Sequence, residues 1–189
     1  NNIISNNNII IDSTRDVIGI YIAMADNTII RDNNIKLTAG NIAYGVYNIY
    51  SHDFKVFMST IWTANTKIIR NFIDAKGSIV CLINSIEAKN TLVDSNILIA
   101  TADGGSYGYF GYKTSGDIIR YNDFTINGTL NNHLMYLSDI NPKTWVDLGL
   151  IGGDSCYFHV KYSDDMTTFT SNNGKNVGKY IGTYTDSIK

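Results

Sequence analysis

Two tyrosine-rich stretches hold the residues of this sequence that are best suited to contact a ligand. The stretch "AYGVYNIY" contains Tyr44 and Tyr47, and the stretch "SYGYFGY" contains Tyr107, Tyr109 and Tyr112. Glycines between the aromatic residues leave flat ring faces accessible, and such faces can stack on sugar rings. Aromatic residues on strands also serve in core packing. The two stretches therefore predict either a saccharide-stacking surface or aromatic core positions.

Charged residues that follow short apolar pairs form a second candidate surface. Arg70, Asp94 and Arg120 each come directly after an aliphatic residue that we expect to face inward. Because side chains alternate along a strand, the three charges would point to solvent and alternate in sign across neighbouring strands. An arginine can pair in a bidentate manner with the carboxylate of an acidic sugar. The alternative is a solvated ladder of charges without a ligand, and both interpretations stay open.

The remaining titratable residues show no spacing that is typical of a catalytic or metal site. Asp32, Asp94 and Asp117 are scattered along the chain, and His52 and His133 are too far apart in sequence to indicate a pair. Glycoside hydrolysis needs two carboxylates that straddle the scissile bond, and folding could bring such a pair together. The sequence therefore favours a non-enzymatic role, without a metal or a cofactor and with the catalytic residues unknown. A polysaccharide lyase or glycoside hydrolase stays open as the alternative.

Composition narrows the class of protein further. The chain has 189 residues with 15 basic and 17 acidic side chains, so its net charge is close to zero. Nucleic-acid binding normally requires a basic face, and no apolar run approaches the roughly 18 residues of a membrane span, so we expect neither partner. Cys81 and Cys156 are far apart and fit buried free thiols better than a disulfide framework. The first residue is not Met, which indicates a piece of a longer polypeptide.

The elements that carry the candidate residues are predicted to be short β-strands. Ile and Tyr are abundant and favour a pleated, half-buried surface, whereas Glu87 is the only glutamate. No long stretch has the 3.6-residue periodicity of a helix. Short apolar or alternating runs typical of strands occur instead at residues 17–24, 42–50 and 77–83.

A repeated motif indicates which β architecture the strands build. The motif "NTIIRDNNI" at residues 27–35 has near copies at residues 2–9, 65–73, 90–97 and 116–124. The second apolar residues of the motifs are Ile4, Ile30, Ile69, Val93 and Ile119, in steps of 26, 39, 24 and 26 residues. Because "GVYNIYSHDFKVF" aligns with "GIYIAMADNTIIR" at a shift of 26, we expect the long step to hold a further unit around Val56. A period in the low to middle twenties is typical of stacked coils.

The motif resembles the coil signature of right-handed parallel β-helices of the pectate-lyase-like type, over roughly residues 1–140. The resemblance implies an all-β fold of about five to six coils, with equivalent residues stacked about 4.8 Å apart. The alignment predicts an internal aliphatic stack of Ile4, Ile30, Val56, Ile69, Val93 and Ile119. It predicts a polar ladder at one corner, broken by Tyr121 and made of Asn6, Asp32, Asn71 and Ser95. It predicts an outward row of Ser5, Arg31, Phe57, Arg70, Asp94 and Arg120.

The last third of the chain loses the repeat. The pieces "YFHVKYSDDMTTFT" and "NNGKNVGKYIGTYTD", in that order, resemble a short module of tail proteins from phages of Gram-positive bacteria. This resemblance implies a small antiparallel β module over residues 141–189. Since the open end of a solenoid would expose an edge strand, this module would serve as a cap or as an oligomer contact.

Together the two resemblances imply a segment of a phage tail fibre or tail tip that attaches to host cell-surface or cell-wall polysaccharide. Such a protein belongs to the virion and is usually a homotrimer. Two alternatives stay open: a polysaccharide-degrading enzyme of the β-helix class, and a structural spacer or adhesin fragment that is secreted or held at the cell surface. The residues expected to bind saccharide are Tyr44, Tyr47, Arg70, Asp94, Tyr107, Tyr109, Tyr112 and Arg120.

Overall fold

The short apolar runs of the sequence form strands, as predicted, and all regular elements in the described part of the chain are β-strands. The computed structural model describes residues 2–49, 63–112, 114, 117–129, 132–138 and 157–160. In chain order the strands are β1 (Asn2–Ser5), β2 (Asn8–Ser13), β3 (Val17–Ala23), β4 (Thr28–Arg31), β5 (Asn34–Ala39), β6 (Ile42–Ile49), β7 (Lys67–Ile69), β8 (Phe72–Gly77), β9 (Ile79–Ile86), β10 (Leu92–Asp94), β11 (Ile97–Ala102), β12 (Ser106–Tyr112), β13 (Ile118–Arg120), β14 (Asp123–Gly128), β15 (Asn132–Ser138) and β16 (Tyr157–Val160).

Successive triplets of strands build a parallel β-solenoid, which confirms the predicted class of fold. Each triplet gives one strand to each of three sheets, and the pairing of neighbouring strands is parallel throughout. Sheet A has the order β1-β4-β7-β10-β13, sheet B has β2-β5-β8-β11-β14-β16, and sheet C has β3-β6-β9-β12-β15. The chain thus makes about four turns between the first and the last strand of sheet A.

The core lies inside the solenoid and consists of columns of aliphatic residues from successive turns. In sheet B, for example, Ile35, Ile73, Leu98 and Phe124 follow one another in register and are fully buried. Burying such a side chain contributes about 1.5–3 kcal/mol relative to leaving it exposed. Because each turn repeats the same inward positions, the columns hold the three sheets together along the solenoid axis.

The predicted further unit around Val56 is wrong as a turn of the solenoid. Strands β4 and β7 are direct hydrogen-bonded neighbours, with Ile30 opposite Ile68, so no strand of sheet A lies between them. The turn from Ile30 to Ile68 is therefore a single long turn of 38 residues. It contains residues 50–62, which lie outside the described residues together with the predicted positions of Val56 and Phe57. Over the described residues the solenoid therefore makes about four turns, and the predicted number of five to six coils is wrong.

The internal aliphatic stack is confirmed at four predicted positions and differs at the strand that follows this long turn. Ile4, Ile30, Val93 and Ile119 are in register, but Ile68 takes the place that the sequence predicts for Ile69. Ile68 is fully buried and Ile69 is half-buried on the outer side.

The outward row of sheet A changes by one residue for the same reason. Ser5, Arg31, Ile69, Asp94 and Arg120 are the register partners, so Ile69 stands where Arg70 was expected. Arg70 follows the strand, in the corner, with a φ of 53°.

The corner ladder exists, but it is displaced by one residue from most of the predicted positions. Asn6, Asp32, Ser95 and Tyr121 have φ values of 54–58°, which is left-handed backbone, and they form the bend itself. The ladder consists of the next residues, which point inward: Asn7, Asn33, Asn71, Asn96 and Asn122. Only Asn71 was assigned correctly, and the ladder continues past Tyr121 to Asn122.

Each inner asparagine of this ladder bonds both neighbouring turns. The Oδ1 atom of Asn71 accepts hydrogen bonds from the main-chain nitrogen and the Nδ2 atom of Asn33, at 3.1 and 3.0 Å. The Nδ2 atom of Asn71 donates to the Ile30 carbonyl at 3.0 Å and to the Asn96 Oδ1 atom at 3.0 Å. The ladder therefore satisfies buried polar groups at a corner and fixes the register of the turns.

Strand β16 is the only described part of residues 141–189. It lies beside β14 in parallel and adds a sixth strand to sheet B. The rest of the predicted C-terminal module, including Cys156, lies outside the described residues.

Candidate functional site

Strands β6, β9 and β12 of sheet C present the aromatic stretches of the sequence on the outside of the solenoid. Tyr44 and Tyr47 of β6 are half-buried, outward-facing residues, whereas Gly45 and Val46 between them are buried. The two consecutive inward residues interrupt the strict alternation of a strand. An added Cβ atom at Gly45 would lie 2.4 Å from the Leu82 carbonyl oxygen, so only glycine permits this close approach of β6 to β9.

The same pattern recurs two strands away on β12. Tyr107 and Phe110 are half-buried on the outer face, with buried residues between them. Tyr107 and Phe110 make an edge-to-face contact, with ring centroids 5.8 Å apart and planes at 89°. Tyr44 and Tyr47 make a similar contact at 4.9 Å and 84°. Such edge-to-face pairs are a favoured aromatic geometry, so each pair stabilises its own arrangement.

Strand β9 lies between the two aromatic pairs and carries short side chains at the equivalent positions. Cys81 is the register partner of both Tyr44 and Tyr107. Asn84 occupies the same position between Tyr47 and Phe110. Because neither of these two positions of β9 carries an aromatic ring, a groove of about 260 Å³ remains between the two aromatic pairs. We call it the aromatic groove; its lining residues are Tyr44, Tyr47, Ile79, Cys81, Asn84, Ile86, Tyr107 and Phe110.

The described lining of the aromatic groove carries no formal charge. Partial burial raises the pKa of Tyr44 and of Tyr47 above the ordinary tyrosine value, so both phenols are protonated at neutral pH. Burial likewise raises the pKa of Cys81 well above that of a free thiol, which keeps the sulfur neutral and unreactive. The polar atoms available in the groove are thus neutral donors and acceptors, suited to hydroxyl groups.

Asn84 is the most deeply placed polar group of the aromatic groove. Its side chain is 4% exposed, and its Oδ1 atom has no hydrogen-bond partner among the described residues. A hydrogen bond from the Asn84 side chain acts to lower the pKa of Tyr47, against the larger effect of burial. Buried polar atoms without a partner are uncommon in folded proteins, so this oxygen marks a place where a donor is missing.

The tyrosines predicted to bind saccharide lie in different places in the structure. Tyr44, Tyr47 and Tyr107 line the aromatic groove. Tyr112 lies farther along β12, half-buried and in register with Ile86 at the end of the groove. Tyr109 points inward and is fully buried, so its ring is part of the core and not of the outer surface.

The charged candidates lie on another part of the molecule. Asp94 and Arg120 belong to sheet A, and Arg70 lies at the corner between sheets A and B, so the structure does not bring them to the aromatic groove. Arg70 makes a bidentate ion pair with Asp32, at 2.8 Å from Nε and 2.9 Å from Nη2. This pair, with a weaker contribution from Arg31, holds the pKa of Asp32 below its usual range.

Asp117 is placed inside the solenoid. Its carboxylate accepts hydrogen bonds from the Tyr109 hydroxyl and from the Thr91 main-chain nitrogen, the latter at 2.8 Å. Burial raises the pKa of Asp117 to about 6. Asp32 and Asp117 thus occupy an outer corner and the core, and they do not form a pair around a common cleft. Within the described residues, no group of three His, Cys, Asp or Glu side chains could hold a metal ion.

Sequence reasoning placed Phe110 in the aromatic stretch but not among the residues expected to bind saccharide, and it missed Cys81 and Asn84 as residues of the site. Phe110 could have been included, because it lies in the stretch that holds Tyr107. Cys81 and Asn84 could not, because the groove depends on their being opposite Tyr44 and Tyr47, across a turn whose length the repeat did not reveal.

Comparisons with known proteins show no family for this chain. No protein-family model, no curated protein and no solved structure matched it. The described residues also include no helix that is long and apolar enough to span a membrane.

Proposed function

We propose that this chain is a saccharide-binding segment of a phage tail fibre or tail tip, which attaches to polysaccharide on the host cell surface or cell wall. The observation that carries the proposal is the aromatic groove, a neutral depression between two pairs of aromatic side chains on the outside of sheet C. The C–H groups on one face of a sugar ring carry partial positive charge and complement the negative face of an aromatic ring.

The rigidity of the solenoid supports this role. Its turns are tied by three parallel sheets and by the asparagine ladder, so the outer side chains are held on a continuously hydrogen-bonded frame. Binding groups on such a frame lose little conformational freedom when a ligand is bound, which favours affinity. The sequence resemblances of the solenoid motif and of residues 157–186 support three further parts of the proposal: that the protein comes from a phage, that it is a homotrimer and that it belongs to the virion.

The positions of the carboxylates favour binding over cleavage. A glycosidase needs a protonated acid and a second carboxylate on either side of one bond. Asp117 has the raised pKa of an acid but lies in the core, whereas Asp32 is paired with Arg70 on the outside. Neither carboxylate lines the aromatic groove.

A glycan array tests the proposal. The protein is applied to capsular and cell-wall polysaccharides of Gram-positive bacteria, beside the variants Tyr47→Ala and Ile10→Ala. Tyr47 lines the groove, whereas Ile10 is 67% exposed on sheet B and serves as the matched control. We expect binding to at least one polysaccharide that Tyr47→Ala weakens at least tenfold and Ile10→Ala leaves unchanged.

Two outcomes of the same assay contradict the proposal. Release of new reducing ends from a bound polysaccharide would identify the chain as a depolymerase. Absence of binding to every polysaccharide on the array would leave the role of a spacer or adhesin fragment.

A further inference from the structure

We infer that the aromatic groove is a subsite for one uncharged pyranose residue, inserted between the Tyr44/Tyr47 pair and the Tyr107/Phe110 pair. The inference rests on the proposed saccharide-binding function and names the class of sugar that the site accepts. It also separates the groove from the Arg70, Asp94 and Arg120 surface, which the sequence suggested for acidic sugars.

The spacing of the strands fits a single inserted ring. Tyr47 and Phe110 lie in register on either side of Asn84, so their strands are two spacings apart, roughly 9.6 Å. Carbon atoms in contact are about 3.5–4.0 Å apart, so one puckered ring can touch an aromatic side chain on each side. The groove of about 260 Å³ is smaller than the roughly 300 Å³ at which drug-sized pockets begin. We therefore assign the groove to one sugar residue of a longer chain.

The electrostatics of the groove favour a neutral sugar. Among the residues that the structure describes, none of those lining the groove carries a formal charge at neutral pH. The carboxylate that acts on Tyr44 is that of Asp16, whose Oδ1 atom is held by the Asn41 side chain at 2.7 Å and by the Ile42 main-chain nitrogen at 3.1 Å. An acidic sugar would find no cation in the lining of the groove and would approach this carboxylate, so it is disfavoured.

Asn84 is the residue of the groove that would hydrogen-bond a hydroxyl group of the sugar. Its Oδ1 atom lacks a donor among the described residues, and the terminal torsion of an asparagine side chain is soft. Rotation of the amide, which gives up the hydrogen bond to Tyr47, would turn this oxygen toward a sugar hydroxyl that supplies the missing donor. A sugar with a free hydroxyl at this point supplies a donor to this oxygen, whereas an apolar ring does not.

Isothermal titration calorimetry of the full chain tests the inference. The ligands are cellohexaose and chitohexaose, which are uncharged, and hexagalacturonate, which is acidic. The variant Asn84→Phe fills the groove with the side chain found at the next position of the same row, and Tyr107→Ala removes one wall. Ile10→Ala is the control, and circular dichroism establishes that each variant folds.

The inference predicts that an uncharged hexasaccharide binds more tightly than hexagalacturonate, and that Asn84→Phe and Tyr107→Ala each weaken binding at least tenfold. If Asn84→Phe does not fold, the Tyr107→Ala variant alone decides. Tighter binding of hexagalacturonate overturns the inference, and the proposed function survives if Tyr47→Ala weakens that binding. Wild-type affinity in the folded Asn84→Phe variant also overturns it. Absence of binding to any glycan on the array and to all three hexasaccharides overturns both proposals.

Discussion

Asn33 and Asn71 lie in neighbouring turns, and the Oδ1 atom of Asn71 accepts hydrogen bonds from both nitrogen atoms of Asn33, at 3.0 and 3.1 Å. The same arrangement joins Asn7 to Asn33 and Asn96 to Asn122. Each asparagine therefore acts as a bridge between turns, and the row is continuous through the described solenoid.

Replacing a central asparagine of the row should destabilise the whole solenoid. Asn71→Ala removes the bonds to Asn33, Ile30 and Asn96 and leaves buried donors and acceptors unpaired. We expect the free energy of unfolding in urea to fall by about 3 kcal/mol or more. Asn34→Ala is the control, because within the described residues its side chain bonds only Asn8, near the surface, and it should cost less than about 1 kcal/mol. Equal losses in the two variants would argue against the ladder as the source of stability.

The stability of the fold should depend on pH through Asp117. Burial raises the pKa of this carboxyl in the folded state to about 6, against an ordinary value of 3.8. The folded protein therefore binds more protons than the unfolded chain between these values, and the free energy of unfolding falls as pH rises from about 4 to 6. The corresponding loss is on the order of 3 kcal/mol, complete above the folded-state pKa.

Urea unfolding at several pH values measures this dependence. Asp117→Asn removes the titrating group and should flatten the curve between pH 4 and 7. Asp103→Asn, an exposed position on another part of the chain, should leave the wild-type curve unchanged. An unaltered curve in Asp117→Asn would assign the dependence to a different group.

The ion pair at the outer corner should be visible in the titration of Asp32. Its pKa is lowered chiefly by the hydrogen bonds from Arg70, and Arg31 contributes less, at 3.3 Å. Arg70→Ala should therefore raise the pKa of Asp32 toward the usual value, as measured by the NMR titration of its carboxyl carbon. Arg31→Ala should cause a smaller rise. A larger effect of Arg31 would mean that the bidentate geometry does not persist in solution.

Gly45 should tolerate no side chain, because of the close approach that shapes the aromatic groove. An alanine Cβ atom would lie 2.4 Å from the Leu82 carbonyl oxygen and 2.7 Å from the Ile73 Cγ2 atom. Strands β6 and β9 would have to separate, at a cost of about 2–3 kcal/mol. Thermal unfolding of Gly45→Ala measures this cost, and an unchanged melting temperature would contradict the packing of these two strands.

The class of fold could be predicted from the sequence because the repeat survives in most turns. Ile4 and Ile30 are 26 residues apart, as are Val93 and Ile119, and each of these four inward positions was assigned correctly. The second turn could not be aligned, since it is 38 residues long, and the strand that follows it places Ile68, not Ile69, inside. Spacing alone cannot distinguish one long turn from two short ones.

The corner ladder was misplaced because one residue with left-handed backbone changes the alternation of side chains. Asp32 has a φ of 56°, so the inward position after Ile30 falls on Asn33. In a run such as "RDNN" every residue is polar, and composition does not say which side chain is buried. The aromatic groove was hidden for a related reason, since the alignment of Asn84 with Tyr47 depends on the length of the long second turn.

The most direct test of the account is to find where an oligosaccharide contacts the protein. Backbone amide chemical shifts of the labelled chain are followed while cellohexaose or chitohexaose is added. The account predicts shift changes that saturate and are confined to β6, β9 and β12, with the largest changes near Tyr47, Asn84 and Phe110. Changes centred on the outer faces of sheet A or sheet B, or no changes at millimolar hexasaccharide, would contradict it.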